Sequence, residues 1–128
     1  MKDKIIRVGR YDSRLNDILN LSFQAISIYR SKGLQAHIIK QKHFKALDYI
    51  ELIPNMLKQP DYVGSTVKDG VIKLEYIKCY KDNIVLCVKV NPDGKSMYVA
   101  TMYEIPQKKI DRFLHSGRIK RIDGNSSV

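Results

Sequence analysis

Cysteine is scarce in this chain. Cys79 and Cys87 are the only two, they match no zinc-ligand spacing, and no histidine lies near them in sequence. They read as small apolar strand residues in a reducing compartment. Long apolar runs are also missing. The longest, Ile84 to Val88, falls far short of the ~20 residues a membrane helix needs. The start, Met1 to Arg7, carries cations but no following apolar stretch of signal-peptide length, so a cytoplasmic location is expected and no membrane partner. In that compartment the sequon Asn125-Ser126-Ser127 means nothing.

Several catalytic signatures are absent too. There is no Gly-x-Ser-x-Gly elbow. Gly94-Lys95-Ser96 resembles the end of a phosphate-binding loop, but Lys89 stands where its first glycine belongs. Asp61 followed by Glu75 and Lys78 has two residues between glutamate and lysine, where a restriction-type nuclease has one. No acidic pair is spaced to hold magnesium. Hydrolytic chemistry, if present, is therefore expected to be metal-free, with no cofactor.

What the chain does have is positive charge. Its 128 residues carry 23 Lys plus Arg against 13 Asp plus Glu, a formal net charge of +10. That balance favours a polyanion partner, nucleic acid first. Hydrophobic residues make up 44% and charged residues 28%, enough core for one folded domain and too little charge bias for disorder.

Along the chain, Ile5–Val8 and Ile26–Tyr29 read as short strands, with weak helix from Arg14 to Leu21 capped by Asp12 or Ser13. Gln35–Lys42 reads as a helix. A second covers about Ala46 to Lys58, with Leu47, Ile50, Ile53 and Leu57 on one face; Pro54 implies a kink or a restart. Pro60 to Gly64 reads as a turn. Three strands follow, Ile72–Lys78, Ile84–Val90 and Met97–Tyr103, then a helix from Gln107 to His115 and a basic tail, Ser116 to Arg121. This order predicts an α+β domain. Residues 1–30 form an N-terminal extension, residues 31–121 the domain, and residues 122–128 a flexible tail.

Two of the three histidines bracket a lysine in His37-Ile-Ile-Lys40-Gln-Lys-His43. Histidine exchanges protons near neutral pH and lysine holds phosphate, so these are parts for metal-free RNA cleavage. A solvated basic helix has the same look. On a helix Lys40 neighbours both histidines, but the histidines lie about 120° apart and share a face only if the helix ends or bends near Lys42. Thr101 and Tyr103 point to one face of a strand. Arg112 and His115 share a helix face, and Arg118 follows.

The order of Gly33 to His43, Ile53-Pro54, Pro60-Asp61-Tyr62-Val63-Gly64, Ile84 to Val88, Val99 to Tyr103 and Arg112 to Arg118 resembles the phage-associated branch of the barnase, EndoU, colicin and RelE-like nuclease superfamily. The resemblance runs from about Ser31 to Arg121. It implies helices packed on a curved antiparallel sheet and metal-independent ribonuclease or RNA-binding activity, often in a toxin or phage effector. It carries the family's site onto His37, Lys40 or His43, Thr101, Tyr103, and Arg112 or Arg118. In the resulting mechanism the 2′-OH attacks its own phosphate. His37 acts as base or acid, and His43 or His115 is the second proton carrier. Lys40 and Arg112 stabilise the transition state, and Thr101 and Tyr103 orient the phosphate. His115, Arg118, Lys120 and Arg121 are the expected substrate-binding cations. The alternatives are a non-catalytic RNA-binding module with Tyr62, Tyr76 or Tyr98 for stacking, and a basic face that docks an acidic antitoxin or immunity protein.

Overall fold

A computed structural model describes residues 5–122. Among them, the elements in chain order are β1 (Ile5–Arg10), α1 (Leu15–Leu19), β2 (Ser27–Ser31), α2 (Leu34–Lys40), α3 (Phe44–Leu47), a 3-10 turn (Ile50–Leu52) and α4 (Ile53–Lys58). There follow β3 (Tyr62–Lys68), β4 (Val71–Cys79), β5 (Asn83–Val90), β6 (Met97–Glu104), α5 (Gln107–Ser116) and β7 (Ile119–Arg121). The strands make one sheet in the order β1-β2-β6-β5-β4-β3-β7. Every neighbouring pair is antiparallel except β2 and β6, which run parallel over only two residue pairs. The fold is α+β.

Strand β5 is buried on both faces, which explains its unbroken apolar run. On one face Ile84, Leu86 and Val88 join Leu74 and Tyr76 of β4 and Met97, Val99 and Met102 of β6. Leu34, Ile38, Ala46, Ile53, Met56 and Leu57 from α2, α3 and α4 close this core. On the other face a smaller cluster gathers Ile77, Val85 and Cys87 with Ile110, Phe113 and Leu114 of α5 and Ile119 of β7. Helix α5 reaches only that end of the face. The other end carries Thr66, Lys73 and Lys89, which line an open cavity.

The structure corrects several readings. The expected long helix from Ala46 to Lys58 is three short pieces, and Pro54 sits in the first turn of α4, where its missing N–H leaves no gap. The expected turn at Pro60–Gly64 runs into β3, paired with β4 along its whole length. The β3–β4 connection is Asp69-Gly70, both at positive φ (53 and 78°), the geometry of a tight hairpin. The basic tail is not a tail: Ile119 to Arg121 forms β7 on β3. The sheet is not wholly antiparallel. Residues 5–30, within the segment read as an N-terminal extension, supply β1, α1 and most of β2, which form one edge of the same sheet. Of the expected flexible tail, residues 123–128 lie outside the described residues. Tyr76 is buried in the helix-packed core, where it cannot stack on a base. No helix among the described residues is long and apolar enough to cross a membrane.

The Tyr76 hydroxyl is buried with no hydrogen-bond partner. A buried hydroxyl left unpaired costs about 1–3 kcal/mol. Tyr76→Phe is therefore expected to raise stability by about 1 kcal/mol, read as a higher denaturant midpoint at unchanged slope. Burial, and then Asp12, pushes the Tyr11 phenol up to about 12, and burial raises Tyr76 further. Unfolded phenols ionise near pH ~10, so stability should hold below that value and fall as pH rises through it. Urea midpoints measured from pH 8 to 11 check this.

Candidate active site

Glu75 is the buried charge around which the site is built. It lies on β4 opposite Gly64 of β3 and Cys87 of β5, on the face that α5 partly covers, and is only 2% exposed. A carboxylate that deep costs several kcal/mol to desolvate unless a cation meets it. Arg118 does so with two parallel bonds, Nε to Oε1 at 3.2 Å and Nη2 to Oε2 at 2.8 Å. A guanidinium keeps its charge at any ordinary pH, and the hydrogen bonds to Glu75 raise the Arg118 pKa further. Its guanidinium also lies over the Phe113 ring at 4.2 Å. Nη1 makes no hydrogen bond among the described residues, and the side chain is 37% exposed.

Local sequence explains how Arg118 arrives there. Gly117 ends α5 in the left-handed region (φ 83°), which turns the chain back onto β3. Gly64 lets it approach. A Cβ at Gly64 would sit 2.5 Å from the Arg118 carbonyl oxygen and 3.0 Å from Ile119.

Beside Glu75 the face continues with hydroxyl and thiol groups. Thr101 of β6 stands opposite Cys87, and its Oγ1 is buried without a partner. Tyr103 stands opposite Val85. Burial first, then Cys87 and Glu75, hold the Tyr103 phenol well above its ordinary value. Burial likewise pushes the Cys87 thiol up. Both groups are neutral donors near pH 7, and Cys87 is no nucleophile there.

His43 reaches this line from outside the sheet. Its ring centroid is 5.6 Å from that of Tyr103, tilted by 40°. Helix α2 ends at Lys40, Lys42 adopts φ 63°, and His43 precedes α3. The helix thus ends where the sequence required it to if both histidines were to serve one site. Strand β2 leaves β6 after Tyr98, so the later half of β6 has no strand on that side and lies against α2 and α3 instead.

The other expected residues are placed as follows. His37 is exposed on α2 and lines a cavity with Tyr29, Tyr98 and Ala100, farther along β6. Lys40 is exposed one helical turn from His37. Arg112 and His115 are exposed on the side of α5 roughly opposite Ile110, Phe113 and Leu114, which face the sheet. Lys120 pairs with Val63, whose side chain enters the helix-packed core, so Lys120 does not share the face of Glu75. Arg121 lies over the Tyr62 ring at 5.3 Å. Structure therefore brings together His43, Tyr103, Thr101 and Arg118, leaves His37 beside an earlier part of the same strand and Lys40 exposed on α2, and separates Arg112 and His115 from them. Glu75, Gly64 and Cys87 were not among the expected site residues. Glu75 alternates with Leu74 and Tyr76 as a solvent-facing strand residue would, so its own segment carries no signal of burial. Among the described residues no group of three His, Cys, Asp or Glu side chains gathers to hold a metal ion.

A family model described as phage-Barnase-EndoU-ColicinE5/D-RelE like nuclease3 matches residues 6–112, most of the chain. No curated protein and no solved structure matches it.

Removing one partner of a fully buried pair costs ~3–5 kcal/mol. Because Arg118 is partly solvated, Arg118→Ala is expected to cost about 2 kcal/mol. Gly64→Ala should cost a similar amount, since β7 must move away. The double variant should be little worse than either single one, because both break the same contact. Chemical denaturation of the three proteins measures this coupling, and full additivity would separate Gly64 from the ion pair.

Proposed function

This chain belongs to the phage-Barnase-EndoU-ColicinE5/D-RelE like nuclease family, and on that premise we propose that it is a metal-independent endoribonuclease. The observation that carries the reading is the line Glu75, Arg118, Tyr103, His43: a fixed cation, a neutral phenol and a histidine across one sheet face. That line offers one proton carrier, a fixed cation and a neutral hydrogen-bond donor, groups that cleavage by the neighbouring 2′-OH uses.

The 2′-oxygen forms a bond to phosphorus as the bond to the 5′-oxygen breaks. One histidine takes the 2′-OH proton and the other gives a proton to the leaving 5′-oxygen, leaving a 2′,3′-cyclic phosphate and a 5′-OH. His43 is the proton carrier beside the cation, and His37, farther along β6, is the second; Lys40, one helical turn from His37, adds positive charge. Arg118 offers Nη1 to the charge that builds on phosphorus. Glu75 is a positioning residue. It is covered by Arg118 and acts by fixing the guanidinium plane. Tyr103 and Thr101 orient the phosphate oxygens. Arg112 and His115, on the outer side of α5, serve at most as distant phosphate contacts. A ribonuclease of this kind fits a phage or mobile-element effector, held in check by an acidic antitoxin or immunity protein.

Purified protein incubated with total RNA and EDTA should yield fragments with cyclic phosphate ends. His43→Ala should lower kcat about 10²–10⁴-fold without unfolding the protein. Arg118→Lys keeps the charge but not the two-point geometry, and should lower kcat about 10²-fold with little change in KM. RNA that is bound and never cut, with His43→Ala unchanged in affinity, would instead identify a binding module.

A further inference from the structure

Opposite residues of neighbouring strands share a face. Arg7 of β1 stands opposite Tyr29 of β2, and Tyr29 beside Tyr98 of β6. Tyr98 pairs with Lys89 of β5, Lys89 with Lys73 of β4, and Lys73 with Thr66 of β3. One unbroken row, Arg7-Tyr29-Tyr98-Lys89-Lys73-Thr66, therefore crosses six strands. Its face is the one that carries Glu75, because Lys73 and Glu75 are two residues apart on β4. No element of the fold uses this row as core: all six side chains are at least partly exposed, and Tyr98 is 37% exposed.

We propose that this row is a track for single-stranded nucleic acid, running beside the proposed cleavage site; it rests on the nuclease reading only in taking the bound strand to be the substrate. Three observations carry it. Lys73 and Lys89 stand directly opposite each other, which is repulsive, and neither has a carboxylate within ion-pair distance among the described residues. A fold that keeps two facing cations unpaired is suited to an external anion. Tyr29 and Tyr98 lie side by side in register, and neighbouring aromatic faces stack on unpaired bases of any identity. Cavities of ≈ 640 and ≈ 440 Å³ flank the row, the first lined by Thr66, Lys73 and Lys89 and the second by Tyr29, Tyr98 and His37. Both fall within the roughly 300–1,000 Å³ of ligand clefts. At ~4.8 Å per strand the row spans roughly 24 Å, room for about four nucleotides, the low end for single-strand-binding folds.

The track reads phosphates and base faces, and nothing in it requires a 2′-OH. It therefore binds single-stranded DNA as well as RNA, and DNA is a competitive inhibitor that is not cut. Fluorescence anisotropy with a labelled eight-nucleotide DNA tests this without any chemistry. Wild type should bind the single strand at least tenfold more tightly than the duplex. Lys73→Gln with Lys89→Gln should weaken binding and reduce the salt slope by about 1.4, at ~0.7 per lost phosphate contact on a single strand. Tyr29→Ala with Tyr98→Ala should weaken binding at least tenfold with the slope unchanged, and the corresponding Phe pair should restore it. DNA binding that responds in this way while RNA stays intact would leave the track standing and remove the nuclease reading. RNA cleavage that DNA does not inhibit, with KM unmoved by either double variant, would do the reverse. Competition by polyglutamate as strong as by DNA would mark the face as a dock for an acidic protein and overturn the track.

Discussion

The Glu75–Arg118 pair is the constraint on which this face depends. A carboxylate that is 2% exposed is tolerable only with its cation in place. The cation comes from the chain between α5 and β7, so the pair ties the C-terminal helix and the three-residue β7 to the middle of the sheet. A strand as short as β7 has little pairing energy of its own. Ile119 in the small core, Gly64 beneath the chain and the two-point bond of Arg118 together keep it in register. Alanine at Gly64 would put a methyl group where the backbone must pass, so the absence of a side chain on β3 is as much a part of the site as the charges are.

The same pair divides the chain's cations into two classes. Most surface ion pairs, such as Arg14 with Asp12, are exposed and contribute little. Arg118 is held by a buried partner and keeps one nitrogen unengaged. Lys73 and Lys89 have no acidic partner among the described residues and face each other across two central strands. An excess of positive charge can come from a uniformly basic surface. Here part of it is concentrated on one sheet face, beside a neutral phenol and an unpartnered Thr101 hydroxyl.

The elements built from local signals were legible. Strands β4, β5 and β6 and helix α5 followed from β-branched runs, the Pro92-Asp93-Gly94 turn and Gly117. Strand β3 is signalled only at its far end, by the hairpin pair Asp69-Gly70, while Pro60-Asp61 gives its start the look of a turn. Strand β7 carries no signal in its own three residues, since its pairing is decided by Gly64, fifty-five residues before Ile119. At the site, His43, Thr101, Tyr103 and Arg118 were readable as residue types. Glu75 was not, because its role comes from Arg118, and neither residue's sequence neighbours point to the other. Arg112 and His115 shared a helix face as expected, but only tertiary packing decides which face meets the sheet.

The strand periodicity that located Thr101 and Tyr103 also hid their neighbour. Residues two apart share a face, so Tyr98 and Thr101, three apart, belong on opposite faces of a regular strand. In β6 the register shifts at this point. Lys89 pairs with Tyr98 and Val88 with Val99, but Cys87 pairs with Thr101, leaving Ala100 unmatched. That bulge returns Thr101 to the face of Tyr98. Without it, Met102 would turn away from the helix-packed core that holds Met97 and Val99, and Tyr103 away from His43. A single extra residue thus lets one strand fill the core at both ends and present Tyr98, Thr101 and Tyr103 together. It sits where β2 parts from β6, the point at which the strand edge opens to His37 and His43. The bulge, the parting of the strands and the end of α2 at Lys40 are three local irregularities, and bringing the proposed cleavage site and the proposed binding row onto one face requires all of them.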